Sequence, residues 1–210
     1  MTDDEKQDIL NQIAETHRGY QPPTVDRIYS ALRDAEHRSE KHKSNPWIKT
    51  EMEGSAWGPV QITNDTMKST LPGKSHNLHL SREEIDYVNR YIAIPSISKK
   101  HILTGDKDKS LYEGIAKKLI TRYWMLSGNV GGIASMWFIG PNWTKKGSRG
   151  KWMGSEDWSP NIVNEMESRN PEYLKIYLES LGLDNNKKTT TRDELIIDEI
   201  NAMKKSLTND

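Results

Sequence analysis

The 210-residue chain contains no cysteine, a single phenylalanine and no excess of charge of either sign. The absence of cysteine excludes disulfide bonds and fits a reducing compartment. Its 30 basic residues balance 30 acidic ones, so no overall field draws the protein to a polyanion. No apolar run is long enough to span a bilayer. We therefore expect neither a nucleic-acid partner nor a membrane.

Tryptophan, by contrast, is abundant, with seven residues against one phenylalanine. The tryptophans that fall in loop-like sequence are Trp47, Trp57, Trp143 and Trp152. Tryptophan offers a flat apolar face on which sugar rings can stack, together with an N–H donor. The alternative is that these side chains pin long loops to the core, and the sequence leaves both interpretations open.

Apolar periodicity predicts a mainly α (α+β) protein. Helices are predicted at about residues 3–17, 25–36, 81–94, 108–127, within 128–141, and at 171–181 and 195–207. Ser81 and Glu84 have the spacing of a capping box, which opens the third of them. We divide the chain into a helical extension at residues 1–22, a central domain at residues 23–183, and a linker with a final helix at residues 184–210.

Glu36 is the residue on which the functional prediction depends. It follows Leu32 by four positions, so it lies on or beside the apolar face of a helix and at that helix's C-terminal end. Loss of water and the negative end of the helix dipole both raise the pKa of a carboxyl there. A carboxylic acid that is protonated near neutral pH can act as the general acid of a glycoside-cleaving enzyme. The alternatives are a solvated glutamate, or Glu40 as the acid.

A second motif, Gly-Pro-Val-Gln at residues 58–61, follows this helix after a polar loop. A glutamate at a helix end, a variable loop and then Gly-hydrophobic-hydrophobic-Gln resembles lytic transglycosylases and goose-type lysozymes, whose second motif usually reads Gly-Leu-Met-Gln. The stretch AWGPVQIT at residues 56–63 is most similar to the lysozyme-like domains of phage-encoded peptidoglycan-degrading proteins. The resemblance covers about residues 25–182 and implies a lysozyme-like fold with a small β-hairpin near residues 47–62.

The apolar segment at residues 128–141 falls where these families have Ala-Tyr-Asn-Ala-Gly, a motif that lines the sugar cleft. Aligned on Gly140, the family's tyrosine corresponds to Trp137 and its asparagine to Phe138. The family's tyrosine hydroxyl, often bonded near the catalytic carboxyl, therefore has no counterpart. We expect Trp137 either to pack in the core or to line the cleft.

The resemblance implies a muramidase that cleaves the β-1,4 bond between MurNAc and GlcNAc, with Glu36 as general acid and base. The residues expected to bind substrate are Gln61, Gly58, Trp57, Thr63 and Trp137. A lytic transglycosylase uses one glutamate and forms a 1,6-anhydro ring. An inverting hydrolase instead needs a second carboxylate about 6.5–9.5 Å from the first to activate water. The candidates by position are Glu51, Glu53 and Asp65.

We expect no cofactor and no metal. His76 and His79 are interpreted as an ordinary loop pair, because no third ligand is near them in sequence and cysteine is absent. The opening residues MTDDEKQDIL lack the pattern of a secretory signal. We therefore expect the protein to reach the bacterial wall from the host cytoplasm at lysis, or as part of a virion.

The expected partners are glycan strands of peptidoglycan and, in a virion, other phage proteins. A different class of function stays open beside the enzyme. The chain could be a catalytically inactive lysozyme-like domain that serves as a structural or wall-binding part of a phage particle. The altered third motif and the zero net charge favour that alternative, whereas Glu36 and Gln61 favour the enzyme.

Overall fold

The computed structural model describes residues 25–38, 44–47, 56–139 and 158–184, and in these ranges the chain is mainly helical. Its helices are α1 (Val25–Glu36), α2 (Asn64–Ser69), α3 (Arg82–Ala93), α4 (Ser96–Ile102), α5 (Asp106–Ser127), α6 (Val130–Ile139), α7 (Trp158–Arg169) and α8 (Pro171–Ser180). The predicted mainly α class is confirmed. The predicted helices at residues 3–17 and 195–207 lie outside the described residues. Of the helices just given, none has both the length and the apolarity needed to cross a membrane.

Local signals determine where several of these helices begin and end. The Ser81 hydroxyl accepts a hydrogen bond from the Glu84 backbone N–H over 3.2 Å, and the Glu84 carboxylate accepts one from the Ser81 N–H over 2.6 Å. The predicted capping box of α3 is therefore confirmed. Helix α8 begins at Pro171, whose fixed φ and missing N–H suit the first helical position. Helix α5 ends at Gly128, which adopts the left-handed conformation.

Three helices have no counterpart among the predicted ones, namely α2, α4 and α7. Helix α2 occupies a stretch whose composition predicts a turn-rich loop. Helix α4 begins directly after Pro95, so this proline separates two helices rather than ending helical structure. Helices α2 and α4 contain only six and seven residues, too few turns for apolar periodicity to reveal them.

The core lies where α1, α5, α6 and α8 pack together. Helix α1 contacts α8 and α5, and α6 contacts α5, α7 and α8. Helix α6 is buried over residues 130–136. Helix α5 contributes a buried stripe to this core, made of Tyr112, Ile115, Ala116, Leu119, Ile120 and Tyr123. This packing brings the C-terminal end of α1 against the N-terminal turn of α8.

Within the range predicted for the β-hairpin, the described residues form one isolated antiparallel bridge, between Trp57 and Ile62, and the hairpin itself stays a prediction. Each residue donates its N–H to the other's carbonyl oxygen over 3.2 Å. Residues 48–55, the other part of the expected hairpin, lie outside the described residues. Two buried phenols hold the bridge, because Tyr112 donates to the Trp57 carbonyl over 2.8 Å and Tyr91 donates to the Ile62 carbonyl over 2.5 Å. We call residues 57–62 the bridge turn.

Candidate active site

Glu36 is the last residue of α1, and its half-buried carboxyl meets helix α8. The Tyr173 hydroxyl donates a hydrogen bond to Glu36 Oε1 over 2.9 Å. Burial raises the pKa of Glu36 to about 7, against the opposing effects of the Tyr173 hydrogen bond and the positive charge of Arg38. Near neutral pH the carboxyl therefore exists in both protonation states, which is the condition for a group that first gives and then takes a proton.

Tyr173 is positioned by the first turn of α8. Its backbone N–H donates to Asn170 Oδ1 over 3.2 Å, so Asn170 caps the helix. Its ring is buried and packs against the ring of Phe138 at 5.1 Å between centroids. Burial, together with the charge of Glu36, raises the pKa of Tyr173 well above its usual range, so the hydroxyl keeps its proton and donates. The hydroxyl that contacts the Glu36 carboxyl therefore comes from α8, whereas residues 128–141 contain no tyrosine.

Arg38 joins the end of α1 to the start of α8. Its guanidinium donates to Glu172 Oε2 over 2.7 Å, to Asn170 Oδ1 over 3.2 Å and, through Nε, to the Ala35 carbonyl over 3.3 Å. Because Arg38 and Glu172 are exposed, their ion pair contributes little to stability. Its consequence for the site is electrostatic, since the Arg38 charge favours the ionised form of Glu36 and so lowers its pKa.

His37 connects the Glu36 helix to the bridge turn. Its Nε2 lies 3.4 Å from the carbonyl oxygen of Gly58, and the side-chain amide of Gln61 donates to the same oxygen over 2.7 Å. Gln61 is buried and adopts a φ of 49°, a left-handed conformation that residues other than glycine adopt only where the surroundings hold them. The second motif therefore lies against the residue that follows Glu36.

Gly58 is required at its position for two reasons. Its φ of +85° lies in the left-handed region, and a Cβ atom there would stand 2.6 Å from Cζ of Tyr112. The absence of a side chain lets the bridge turn lie directly on the Tyr112 ring. Gly58 therefore contributes to the site through the shape of the backbone and through its carbonyl oxygen.

The expectation that Trp57 binds substrate is corrected by its position. Its ring is fully buried, with centroids 5.2 Å from Trp47, 5.7 Å from Tyr112 and 6.1 Å from Tyr91. A side chain with no exposed face cannot stack on a sugar. For Trp57 the loop-pinning interpretation therefore holds, and Trp47 is half-buried against the same cluster. Trp143 and Trp152 lie outside the described residues.

Thr63 and Trp137 use their polar groups to support the fold around the turn. The Thr63 hydroxyl accepts from the Thr66 backbone N–H over 3.1 Å and so caps α2. Trp137 is half-buried, packs edge-on against Tyr123 at 5.8 Å, and donates through Nε1 to the Val60 carbonyl over 2.7 Å. Trp137 therefore fixes α6 to the bridge turn, as the core-packing alternative predicts.

The candidates for a second carboxylate are not brought to Glu36 by any described contact. Glu51, Glu53 and the alternative acid Glu40 lie outside the described residues. Asp65 is exposed in the first turn of α2. Within the ranges that the structure describes, no group of three or more histidine, aspartate or glutamate side chains could hold a metal ion.

The site also contains residues that sequence reasoning missed, chiefly Tyr173, with His37, Arg38 and Phe138 around it. The sequence predicts the helix that carries Tyr173, but no motif marks its hydroxyl as a partner of Glu36. Compared with known proteins, this chain matches no family model, no curated protein and no solved structure. The lysozyme-like resemblance therefore rests on the residues of the chain itself and stays a prediction.

Proposed function

We propose that this protein is a lysozyme-like muramidase that cleaves the β-1,4 bond between MurNAc and GlcNAc in peptidoglycan. The observation that carries the proposal is the Glu36 carboxyl, which burial brings to a pKa of about 7 and which Tyr173 binds at one oxygen. A carboxyl with this pKa can protonate a leaving oxygen at the pH at which bacteria grow. The bridge turn against His37 supports the resemblance, because it brings the glutamate and the glutamine motif together.

The one-carboxylate route of a lytic transglycosylase fits this arrangement best. The Glu36 carboxylic acid gives its proton to the glycosidic oxygen, and the bond from that oxygen to C1 of MurNAc breaks. The resulting carboxylate then accepts the proton of the MurNAc 6-hydroxyl, whose oxygen bonds to C1 and closes the 1,6-anhydro ring. Glu36 is protonated again at the end, so the cycle is complete without a second carboxylate.

Tyr173 has a defined part in this cycle. Because its hydroxyl donates to Oε1, the other carboxyl oxygen is the one that holds and transfers the proton. The same hydrogen bond stabilises the carboxylate that exists between the two proton transfers. The hydroxyl thus supports the one-carboxylate route, in which Glu36 alone holds the charge between the two proton transfers.

The test is mass spectrometry of purified peptidoglycan incubated with wild type, with Glu36→Gln and with Glu179→Gln. Glu179 is an exposed glutamate at the far end of α8 and serves as the matched control. We expect anhydro-muropeptides from the wild type and from Glu179→Gln, and none from Glu36→Gln. Products with reducing ends would identify a hydrolase, with Glu51 and Glu53 as the first candidates for the second carboxylate.

Two results would contradict the proposal that Glu36 is a general acid. If the folded wild type releases nothing from several wall types, or if Glu36→Gln cleaves as well as the wild type, Glu36 is not a general acid. The inactive structural or wall-binding domain of a phage particle would then be the better description.

The route to the wall is a separate question, with the host cytoplasm before lysis and the virion as the two proposed routes. It is tested by locating the protein in infected cells and in particles.

A further inference from the structure

A closed ring of contacts joins the end of α1 to the first turn of α8. The Tyr173 hydroxyl donates to Glu36 Oε1 over 2.9 Å, and the Tyr173 backbone N–H donates to Asn170 Oδ1 over 3.2 Å. The same Asn170 oxygen accepts a hydrogen bond from the Arg38 guanidinium over 3.2 Å. Arg38 lies two residues after Glu36, so the ring returns to the segment from which it starts. Asn170 is the residue at which its two halves meet.

Two donors share the side-chain oxygen of Asn170. A guanidinium has donors and no acceptor, so the amide oxygen, rather than the amide nitrogen, has to face Arg38. The Tyr173 N–H is one of the N-terminal donors of a helix and likewise needs an acceptor. Arg38 therefore fixes the amide in the orientation in which it also binds Tyr173.

Asn170 and Arg38 are themselves held by the helices that they join. The Asn170 N–H donates to the Met166 carbonyl, in the last turn of α7, over 2.8 Å. Arg38 donates through Nε to the Ala35 carbonyl over 3.3 Å and through its terminal nitrogen to Glu172 over 2.7 Å. The shared oxygen is thus connected to α1, α7 and α8 at once.

The position of this oxygen affects the bond between Tyr173 and Glu36. Tyr173 is the third residue of α8, and its side chain is only 1% exposed. A hydrogen bond weakens steeply as its distance and angle depart from their preferred values. A small displacement of the first turn of α8 would therefore weaken this bond, although both of its groups would still be present.

We propose that Asn170 is a positioning residue of the candidate active site. By accepting from Arg38 and from the Tyr173 N–H, its Oδ1 holds the Tyr173 hydroxyl against Oε1 of Glu36. Asn170 takes no part in proton transfer. The catalytic meaning of this role rests on the function proposed above, whereas its effect on the Glu36 carboxyl can be measured without peptidoglycan.

The test is a carbon-13 titration of the Glu36 carboxyl in the full-length protein and in variants at Asn170. Burial raises the pKa of Glu36, and among the described residues Tyr173 and Arg38 oppose it. Asn170→Ala removes the shared oxygen, so we expect the Glu36 pKa to rise by about half a unit or more. Asn170→Ser returns an acceptor to the Tyr173 N–H and should bring this pKa back towards the wild-type value.

Two further variants separate positioning from stability. Ser81→Ala removes the N-cap of α3, so it should lower stability and leave the Glu36 pKa unchanged. Asn170→Gly lacks the oxygen but costs little as an N-cap, so it should raise the Glu36 pKa even if Asn170→Ala does not fold. A wild-type titration in folded Asn170→Gly overturns the proposal, as does an equal rise in Asn170→Ser and Asn170→Gly.

The positioning role and the proposed cleavage can fail separately. If the wild type cleaves nothing but Asn170→Gly raises the Glu36 pKa, the positioning role stands and the muramidase proposal fails. If Glu36→Gln abolishes cleavage but Asn170→Gly titrates as the wild type does, only the positioning role fails. In an active enzyme, Asn170→Gly should move the pH profile of cleavage upwards, whereas a purely structural loss would lower the rate equally at every pH.

Discussion

The Tyr173 hydroxyl donates a hydrogen bond to Oε1 of Glu36 over 2.9 Å, although the two residues are 137 positions apart in the sequence. The bond has a direct consequence for acid–base chemistry. Burial alone would keep the carboxyl protonated to higher pH, whereas a donor at one oxygen favours the ionised form. The balance brings the pKa of Glu36 to about 7, where one carboxyl can serve as acid and as base.

Tyr173→Phe should therefore raise the pKa of Glu36. The variant removes the donor and keeps the ring, so the carboxylate loses stabilisation while burial is unchanged. We expect an increase in pKa of about one unit, from the typical strength of a hydrogen bond to a charged group. The measurement is a carbon-13 titration of the Glu36 carboxyl, and the pH profile of peptidoglycan cleavage should move in the same direction.

Tyr177→Phe is the matched control, one turn further along α8. The Tyr177 hydroxyl is buried and has no hydrogen-bond partner among the described residues, so its removal should leave the pKa of Glu36 unchanged. A Tyr173→Phe variant with the wild-type Glu36 titration would contradict the role that we assign to this hydrogen bond.

Glu36 should also make the stability of the protein depend on pH. Its pKa is raised in the folded state, so the folded protein holds this proton up to a higher pH than the unfolded chain does. The stabilisation is complete below the unfolded pKa of about 4.5 and is lost as the pH rises towards the folded pKa of about 7. In urea unfolding across this interval, the free energy of unfolding of the wild type should fall relative to that of Glu36→Gln. Parallel curves for the two proteins would show that the carboxyl titrates normally.

Gly58→Ala should destabilise the protein by about 3 kcal/mol. Alanine disfavours the left-handed backbone conformation at this position, and its Cβ would overlap a neighbouring ring. The added Cβ would lie 2.6 Å from Cζ of Tyr112, so the bridge turn would have to move away from that ring. Gly73→Ala is a matched control, because its φ is +72° and no atom lies within 4 Å of the added Cβ. We expect Gly73→Ala to cost only about 1 kcal/mol. Equal losses for the two variants in urea unfolding would rule out the overlap with Tyr112.

Trp137→Phe should destabilise the protein by about 1–2 kcal/mol, because it removes the 2.7 Å hydrogen bond to the Val60 carbonyl and leaves that oxygen without its donor. The measurement is again the free energy of unfolding. Trp124→Phe is the control for loss of ring size, since Trp124 is also half-buried against the core. If the free energy of unfolding falls equally in both variants, the hydrogen bond from Trp137 to the bridge turn does not contribute to stability.

Features whose causes lie within a few residues could be predicted from the sequence. The bounds of α1 follow from its apolar repeat, the start of α3 from the pairing of Ser81 with Glu84, and the end of α5 from the conformational freedom of Gly128. The position of Glu36 at the end of α1 was predictable for the same reason. Helical periodicity and capping are local, so these features need no knowledge of the packing.

Which side chains contact one another could not be predicted without the packing of the helices. The pairing of Tyr173 with Glu36, and the shared contact of His37 and Gln61 with the Gly58 carbonyl, join segments far apart in the chain. The burial of Trp57 was equally undetermined, because a tryptophan in a loop can face either a ligand or the core. The physical reason is that hydrogen bonds and burial depend on distances across the fold, and those distances arise when α1, α5, α6 and α8 pack together.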